Sequence, residues 1–559
     1  MAKIRFFVVN VIFSIILTFP IIAYASIHDK FDQDNKARQT EQETLQRTQE
    51  EMVRLKREKK TLSIVQLPDE TPSFHIKEIY IRGERLESFP WIQKYLDKYT
   101  NQNIGLTGIN LLINKINEAF IDKGFITTKL YIKEQDLTTG TLTFDLVAGT
   151  INNISFDQDV YGTWRNAFPM SPGDLLNIRD IEQGLEQMRR LSSQDVDIDI
   201  QPADEMGQSN LIIKIKRTKP WKLITTLDDS GTLSTGKNQA TAAWQIENVF
   251  NLNDIFYLSY NKDAASQGEI KGTRANSIYY SVPIGKQTLS INLSRNKYHQ
   301  TVLTGGIPFV YSGTTDNVSL TLTHLLMRDQ TKKSNLEFTL ITKRRRSYID
   351  DTEITTQRQD TTALKLGITH RQYMGSTVFD AALRFQKGVP WLGAKPGPTD
   401  HMPDSATTRY NMWTFDVNIN TPIALGKLKG RYNLNIRGQK TNNPVYGSDF
   451  FSIGGRYTVR GFDGEQSLSA ENGFTIRNEL SLEYIKYHQI YFNLDYGKVS
   501  GRSTQWLLGK ELLGCAVGLK GSINKGMLQY DLFLGWPLKR PDGFRTRKQA
   551  YGFQLTMQI

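Results

Sequence analysis

From Trp221 to Ile559 the chain is a succession of segments, roughly ten residues each, in which apolar and polar side chains alternate. Leu289, Ile291 and Leu293 are separated by Ser290 and Asn292, and Val318, Leu320 and Leu322 by Ser319 and Thr321. A period of two places the apolar set on one face of a strand and the polar set on the other. Turns rich in Gly, Asn, Asp and Pro separate the segments, some short (283–286) and some long (395–408). Short and long connections in alternation with such segments are the pattern of a transmembrane barrel. About 340 residues, at roughly 20 to 22 per strand and connection, predict about 16 antiparallel strands. The last segment, 549–559, places Tyr551, Phe553, Leu555, Met557 and Ile559 on one face, as a lipid-facing closing strand would. A soluble sandwich or propeller is the competing arrangement, and no blade repeat is visible.

A barrel in a membrane requires export. Lys3 and Arg5 precede a mostly apolar run from Phe6 to Ile22, and Ala23-Tyr24-Ala25 fits a cleavage site. Residues 1–25 therefore read as a secretory signal peptide cut before Ser26. No later segment offers the about 18 apolar residues of a spanning helix. A closed barrel can still enter a bilayer, because its backbone groups are all satisfied internally. Cys515 is the single cysteine, so no intrachain disulfide can form. The formal charge of +12 is dispersed among strand-like segments of an exported chain, which argues against a nucleic-acid partner.

The stretch 28–60 is dense in charge and Gln, and from Lys30 to Lys60 it lacks Gly and Pro. Glu43 with Arg47 and Glu50 with Arg54 are spaced to support a helix. Such a helix, polar all round, is either a solvated tether or sits inside something wet. Residues 61–72 read as a linker. Two α/β units follow, each in the order strand, helix, strand, strand. In the first, Ile76, Ile79 and Ile81 mark a strand ending at Gly83. Leu112, Ile116, Ala119 and Phe120 mark a helix face, and 126–132 and 142–147 two further strands. In the second, 151–156 is a strand, Ile181, Leu185 and Met188 lie on a helix face, and 196–200 and 211–215 are strands. Repeated small units suggest a modular arm rather than an enzyme.

Signals for chemistry are weak. Gly231, Gly236 and Lys237 match the start of a phosphate-binding loop, but Asn238 stands where the metal-binding hydroxyl belongs. This stretch reads as a turn between the first two barrel strands. The seven histidines are scattered singly, with no metal-ligand spacing. No nucleophile motif stands out, and Asp228-Asp229 and Asp350-Asp351 read as solvated strand ends. The expectation is no catalytic set, no metal and no cofactor.

The most distinctive stretch is Gly454-Gly455-Arg456-Tyr457-Thr458-Val459-Arg460-Gly461-Phe462, within a long connection at about 447–472. Three glycines within eight residues permit tight folding. Arg460 there must face either water or an acid. Asp495 falls on the strand face opposite Phe492, Leu494 and Tyr496 and so should point into the lumen. A guanidinium and a carboxylate make a strong pair, but physics alone leaves the pairing of these two open.

Val459-Arg460-Gly461-Phe462 resembles the signature of two-partner secretion transporters, the haemolysin secretion/activation family of POTRA-bearing barrels. The resemblance extends to Lys123-Gly124-Phe125-Ile126-Thr127-Thr128, to Glu134-Gln135-Asp136-Leu137 with Gly140 and Leu142, to Ser230-Gly231 with Ser234-Thr235-Gly236, and to Arg477-Asn478-Glu479-Leu480-Ser481. It implies a signal peptide (1–25), a plug helix and linker (26–72), two periplasmic POTRA domains (73–148 and 149–217) and a 16-stranded barrel (218–559). It also implies a signature loop folded into the lumen, with Arg460 against Asp495 and Gly497 on the wall. An unfolded exoprotein would be captured by the POTRA pair and secreted without nucleotide. The other partners implied are outer-membrane lipid and the barrel-assembly machinery. A barrel-assembly factor of the same superfamily is the alternative; a passive porin would not need the α/β arm. The chain departs from the family where Ser73 and Asn103 stand in place of a frequent cysteine pair, at Asn493, and at the terminal Ile559.

Overall fold

The structure is a computed structural model that describes residues 27–49, 52–53, 63–158, 162–265, 268, 270–304, 306–397, 400 and 405–559. The expected signal peptide lies outside the described residues, as do 50–51 and 54–62 of the expected helix and linker.

Among the described residues, sixteen strands form one closed antiparallel barrel, from Trp221–Asp228 to Ala550–Gln558. Closure pairs Gln554 with Asp228 and Gln558 with Ile224, and Leu223 and Ile559 exchange backbone hydrogen bonds. Alternation decides what faces where. Leu258, Leu320, Phe338, Leu366, Phe492 and Leu532 are exposed on the outer wall, while Thr315, Arg345, Asp416, Arg437 and Asp495 are buried within. An apolar outer wall matches lipid, and a polar lumen keeps charged groups out of it. The Gly231–Lys237 stretch lies between the first two strands, Trp221–Asp228 and Gln239–Glu247.

The first α/β unit has a sheet in which Glu78–Gly83 runs parallel to Thr141–Val147, which is antiparallel to Lys129–Tyr131. The predicted strand through Ile76, Ile79 and Ile81 is divided. Ser73–Ile76 pairs instead with Gln102–Gly105, because Lys77 and Glu78 both donate their N–H to the Gly140 carbonyl and step the chain from one sheet to the other. The strand predicted at 126–132 shortens to Lys129–Tyr131, since Ile126 is still in the turn, bonded to the Gly124 carbonyl.

With the lumen helix as α1 (Ile27–Gln49), this unit contributes α2 (Pro90–Leu96) and α3 (Leu106–Asp122). Leu112, Ile116, Ala119 and Phe120 of α3 are buried, as their spacing predicts. Helix α2 was not evident from periodicity; Pro90 opens it, and Ile92, Tyr95 and Leu96 fix it to the core.

In the second unit, Thr150–Phe156 runs parallel to Gln208–Arg217, which is antiparallel to Gln194–Pro202. Helix α4 (Ile178–Arg189) buries Ile181, Leu185 and Met188. Its other side, where Glu182, Gln183 and Gln187 are also buried, meets the barrel. Arg328 lies 3.5 Å from Glu182 and 2.8 Å from Glu186, and Lys333 also pairs with Glu186. Lys286 lies 3.0 Å from Asp180. The short turns of the barrel face this unit, and the long connections leave from the opposite end.

Burial raises the Glu186 carboxyl, but Lys333 and Arg328 more than offset this and hold it at about 2, from an ordinary 4.5. The shift is downward, so the charge pair supports docking fully above pH 4.5 and is lost as pH falls from there toward 2. A spin-label distance between α4 and the Asp329 turn should therefore lengthen and broaden over that acid window. Glu186→Gln should produce the same broadening at neutral pH. An unchanged distribution in both cases would show that the pair does not hold the unit.

Candidate functional site

The connection at 442–471, between strands Leu428–Thr441 and Asn472–Ile485, folds back into the lumen. Phe451–Ile453 and Leu468–Ala470 pair as a small hairpin within it. Val459 and Phe462 are buried with Ile453 and Leu468 of the loop and with Val499, Leu512 and Phe544 outside it, so the loop tip shares an apolar core with the wall. Phe462 and Phe544 meet edge to face at 5.8 Å. Thr458 Oγ1 accepts from the N–H groups of Gly454 and Gly455, closing the turn before the tip.

Two glycines allow the close approach. Gly461 has φ +104°, and a Cβ there would lie 2.5 Å from the Trp536 carbonyl oxygen. On the wall, a Cβ on Gly497 would lie 2.8 Å from Val459 Cγ2. A side chain at either position would push the loop off the wall.

Arg460 is thereby placed against Asp495. Its Nε and Nη2 donate to the two carboxylate oxygens at 2.6 and 2.8 Å, and its backbone N–H donates to Oδ2 at 3.0 Å. Asp495 is fully buried. The remaining Arg460 nitrogen, Nη1, donates to Glu479 at 2.8 Å, and Lys520 donates to the other Glu479 oxygen at 2.5 Å. Bidentate geometry with every charge partnered is what a buried pair needs to be net favourable.

Sequence reasoning missed the continuation of this network into α1. Arg477, beside Asp495 at 4.0 Å, donates to Glu41 of α1 at 2.8 Å. Arg437 also pairs with Glu41, at 2.9 Å, and with Asp416 at 2.8 Å. Farther up the lumen, Arg345 pairs with Asp29 at 2.8 Å and Asp32 at 3.3 Å, and Gln33 bonds Gly447 and Ser469 of the connection. His28 lies between Ser347 and Thr315 at the end away from the α/β units. The signal that could have found these wall residues is the one that found Asp495: a charged residue on the face opposite the apolar set.

Comparison with known proteins identifies what carries this lumen. Residues 207–521 match the family described as haemolysin secretion/activation protein ShlB/FhaC/HecB. The chain belongs to that family. The preceding units match a ShlB-type POTRA domain at 74–149 and a POTRA domain at 150–202. Similar proteins include outer membrane transporter CdiB-2 of Burkholderia pseudomallei (strain 1026b), 37% identical over 88% of each chain. Hemolysin transporter protein ShlB of Serratia marcescens is 28% identical over 75% of this chain and 74% of its own. The solved structure of CdiB from Acinetobacter baumannii, at 27% identity, superposes with a TM-score of 0.85 over 97% of this chain and 100% of its own. The chain is thus an outer-membrane transporter of the two-partner secretion class that secretes an exoprotein, with its POTRA domains in the periplasm.

Asp495→Ala leaves a buried guanidinium with half its partners. The loop should lose about 3–5 kcal/mol of support, read as a lower midpoint of thermal unfolding and as increased labelling of a cysteine placed at Thr458. Exchanging the charges, Arg460→Asp with Asp495→Arg, sets the new carboxylate beside Glu479 and the new guanidinium beside Arg477. The double variant should therefore remain impaired in secretion. Full recovery would mean that the neighbouring charges do not take part.

Proposed function

We propose that this chain secretes one dedicated large exoprotein (a haemolysin, an adhesin or a contact-dependent toxin) through a lumen that α1 closes and the Arg460 loop shapes. The supporting observation is how α1 is held. Apart from His28 and Phe31 against Tyr298, its contacts named above are ion pairs and hydrogen bonds. Withdrawing such a helix into water exchanges polar partners for water and exposes little apolar surface. A core helix such as α3 could not leave its site so cheaply.

In this reading residues 26–72 are plug and linker, 73–148 and 149–217 the two POTRA domains, and 218–559 the barrel. The POTRA pair captures the exoprotein unfolded. Among the described residues the Glu78–Gly83 strand has one hydrogen-bonded neighbour, Thr141–Val147, which leaves an edge for strand addition. Val459, Arg460, Gly461 and Phe462, with Asp495 and Gly497, hold the loop against the wall while the chain passes. The outer wall contacts lipid, and insertion uses the barrel-assembly machinery, to which the closing strand ending at Ile559 would be presented. Transport is driven by folding of the exoprotein outside; no nucleotide, metal or catalytic residue takes part.

Removing the gene should abolish release of a large exoprotein into the medium while other barrels assemble normally. Continued release with failed barrel assembly would make this an assembly factor instead. Deleting residues 27–49 should raise single-channel conductance in planar bilayers several-fold while secretion continues. Unchanged conductance would mean that α1 does not close the pore.

A further inference from the structure

The outer wall changes character across the fourth to seventh barrel strands, Lys271–Ile284, Gln287–Thr304, Ile307–Arg328 and Lys332–Ile349. On the second of these, Leu289, Ile291 and Leu293 face outward, and the next two outward positions are Arg295 and Lys297. On the first, Tyr280 and Ile278 give way to Asn276 and Arg274; on the last, Phe338 and Leu340 give way to Thr342, Arg344 and Arg346. The cations lie at the end away from the POTRA domains, which is the extracellular leaflet.

At one edge of this face the register sets like charges opposite one another. Lys262 on the neighbouring strand Ile255–Asp263 stands opposite Arg274, and Arg274 opposite Lys297. Directly opposed like charges destabilise a sheet unless a counter-charge intervenes. Nearer the apolar band, Arg295 is bidentate on Asp316 at 2.5 and 3.0 Å; farther out, Arg346 directs its Nη2 at both oxygens of Asp360, at 2.8 and 3.0 Å. Lys262, Arg274 and Lys297 are exposed, and among the described residues no carboxylate forms an ion pair with any of them, whereas Arg344 stands between Asp316 and Asp360 in the register. The opposite wall differs, since Lys498 and Lys539 there share Glu511 at 2.8 and 3.0 Å.

Directly beneath runs a shallow groove of about 860 Å³. Ile291, Leu293, Val318 and Leu320 form its floor, Arg295, Asp316, Arg344 and Asp360 its rim, and the extracellular loop at 392–394 overhangs it. We propose that this face binds the phosphorylated, acylated glycolipid of the outer leaflet, its phosphates on the row Lys262, Arg274 and Lys297 and its acyl chains along the groove. A phosphate between opposed cations turns their repulsion into attraction, and an anionic headgroup is the counter-charge available at that depth. Acyl chains account for the apolar floor, which a free anion would not use.

Full-length protein in detergent is titrated with three probes: bisphosphorylated lipid A, the same lipid dephosphorylated, and sodium pyrophosphate. Lipid A should bind at least ten-fold more tightly than its dephosphorylated form, and pyrophosphate should not compete at equal concentration. The triple variant Lys262→Gln, Arg274→Gln, Lys297→Gln should bind lipid A at least ten-fold more weakly, with heat-modifiable mobility on gels unchanged. Equal binding of the two lipids overturns the proposal, as does full affinity in the triple variant. Pyrophosphate competing on equal terms would also overturn it, by assigning the row to free anions. The comparison of lipids needs the wild-type protein alone, so a variant that misfolds leaves the test standing.

Discussion

A guanidinium buried in a barrel lumen has to be fully partnered, and much of the interior is arranged around that requirement at Arg460. Both carboxylate oxygens of Asp495 receive its nitrogens, and Glu479 takes the third. Such close contact is sterically open only because Gly497 lacks a side chain on the wall and Gly461 takes a left-handed backbone in the loop. Val459 and Phe462, on either side, then have an apolar pocket to fill. The charge pair sets direction, the glycines set distance, and the two apolar side chains contribute the burial energy that a buried ion pair does not reliably supply.

The same alternation serves two solvents. Outward positions meet lipid and inward positions meet a polar lumen, so a single register slip would exchange the two along an entire strand. Because inward positions can be charged, the lumen can hold a helix through Arg345, Arg437 and Arg477 without an apolar seam. Helix α4 follows a related logic outside the membrane. Its apolar face completes the POTRA core, and its acidic face, Glu182 and Glu186, is buried against basic residues at the base of the barrel.

Barrel, arm and polar helix were legible in the sequence because each has a strong period or composition. The strand count followed from length, and the position of Asp495 from alternation. The partner of Arg460 was not legible from periodicity, since a loop has none, and family resemblance had to supply it. The link from Arg477 through Glu41 to Arg437 was missed because it joins residues from two strands and a helix far apart in sequence. Helix α2 was missed because seven residues show too little period, and the split at Lys77 because a chain changing sheets keeps its alternation.

Arg328 joins the second POTRA domain, the barrel and the chain beyond α1. It pairs with Glu182 and Glu186 of the second POTRA domain, and its Nη2 also donates to the carbonyl of Val53 at 2.6 Å. Glu186 accepts the N–H of the same Val53, and Tyr373 receives the N–H of Met52. The segment of chain leading out of α1 is therefore gripped where the arm meets the barrel. Movement of α4 away from Arg328 removes a partner from Val53, and withdrawal of Val53 leaves Arg328 and Glu186 each with one fewer hydrogen bond. Linkage makes that dependence reciprocal, so whatever loosens the arm also loosens the hold on the chain beyond α1.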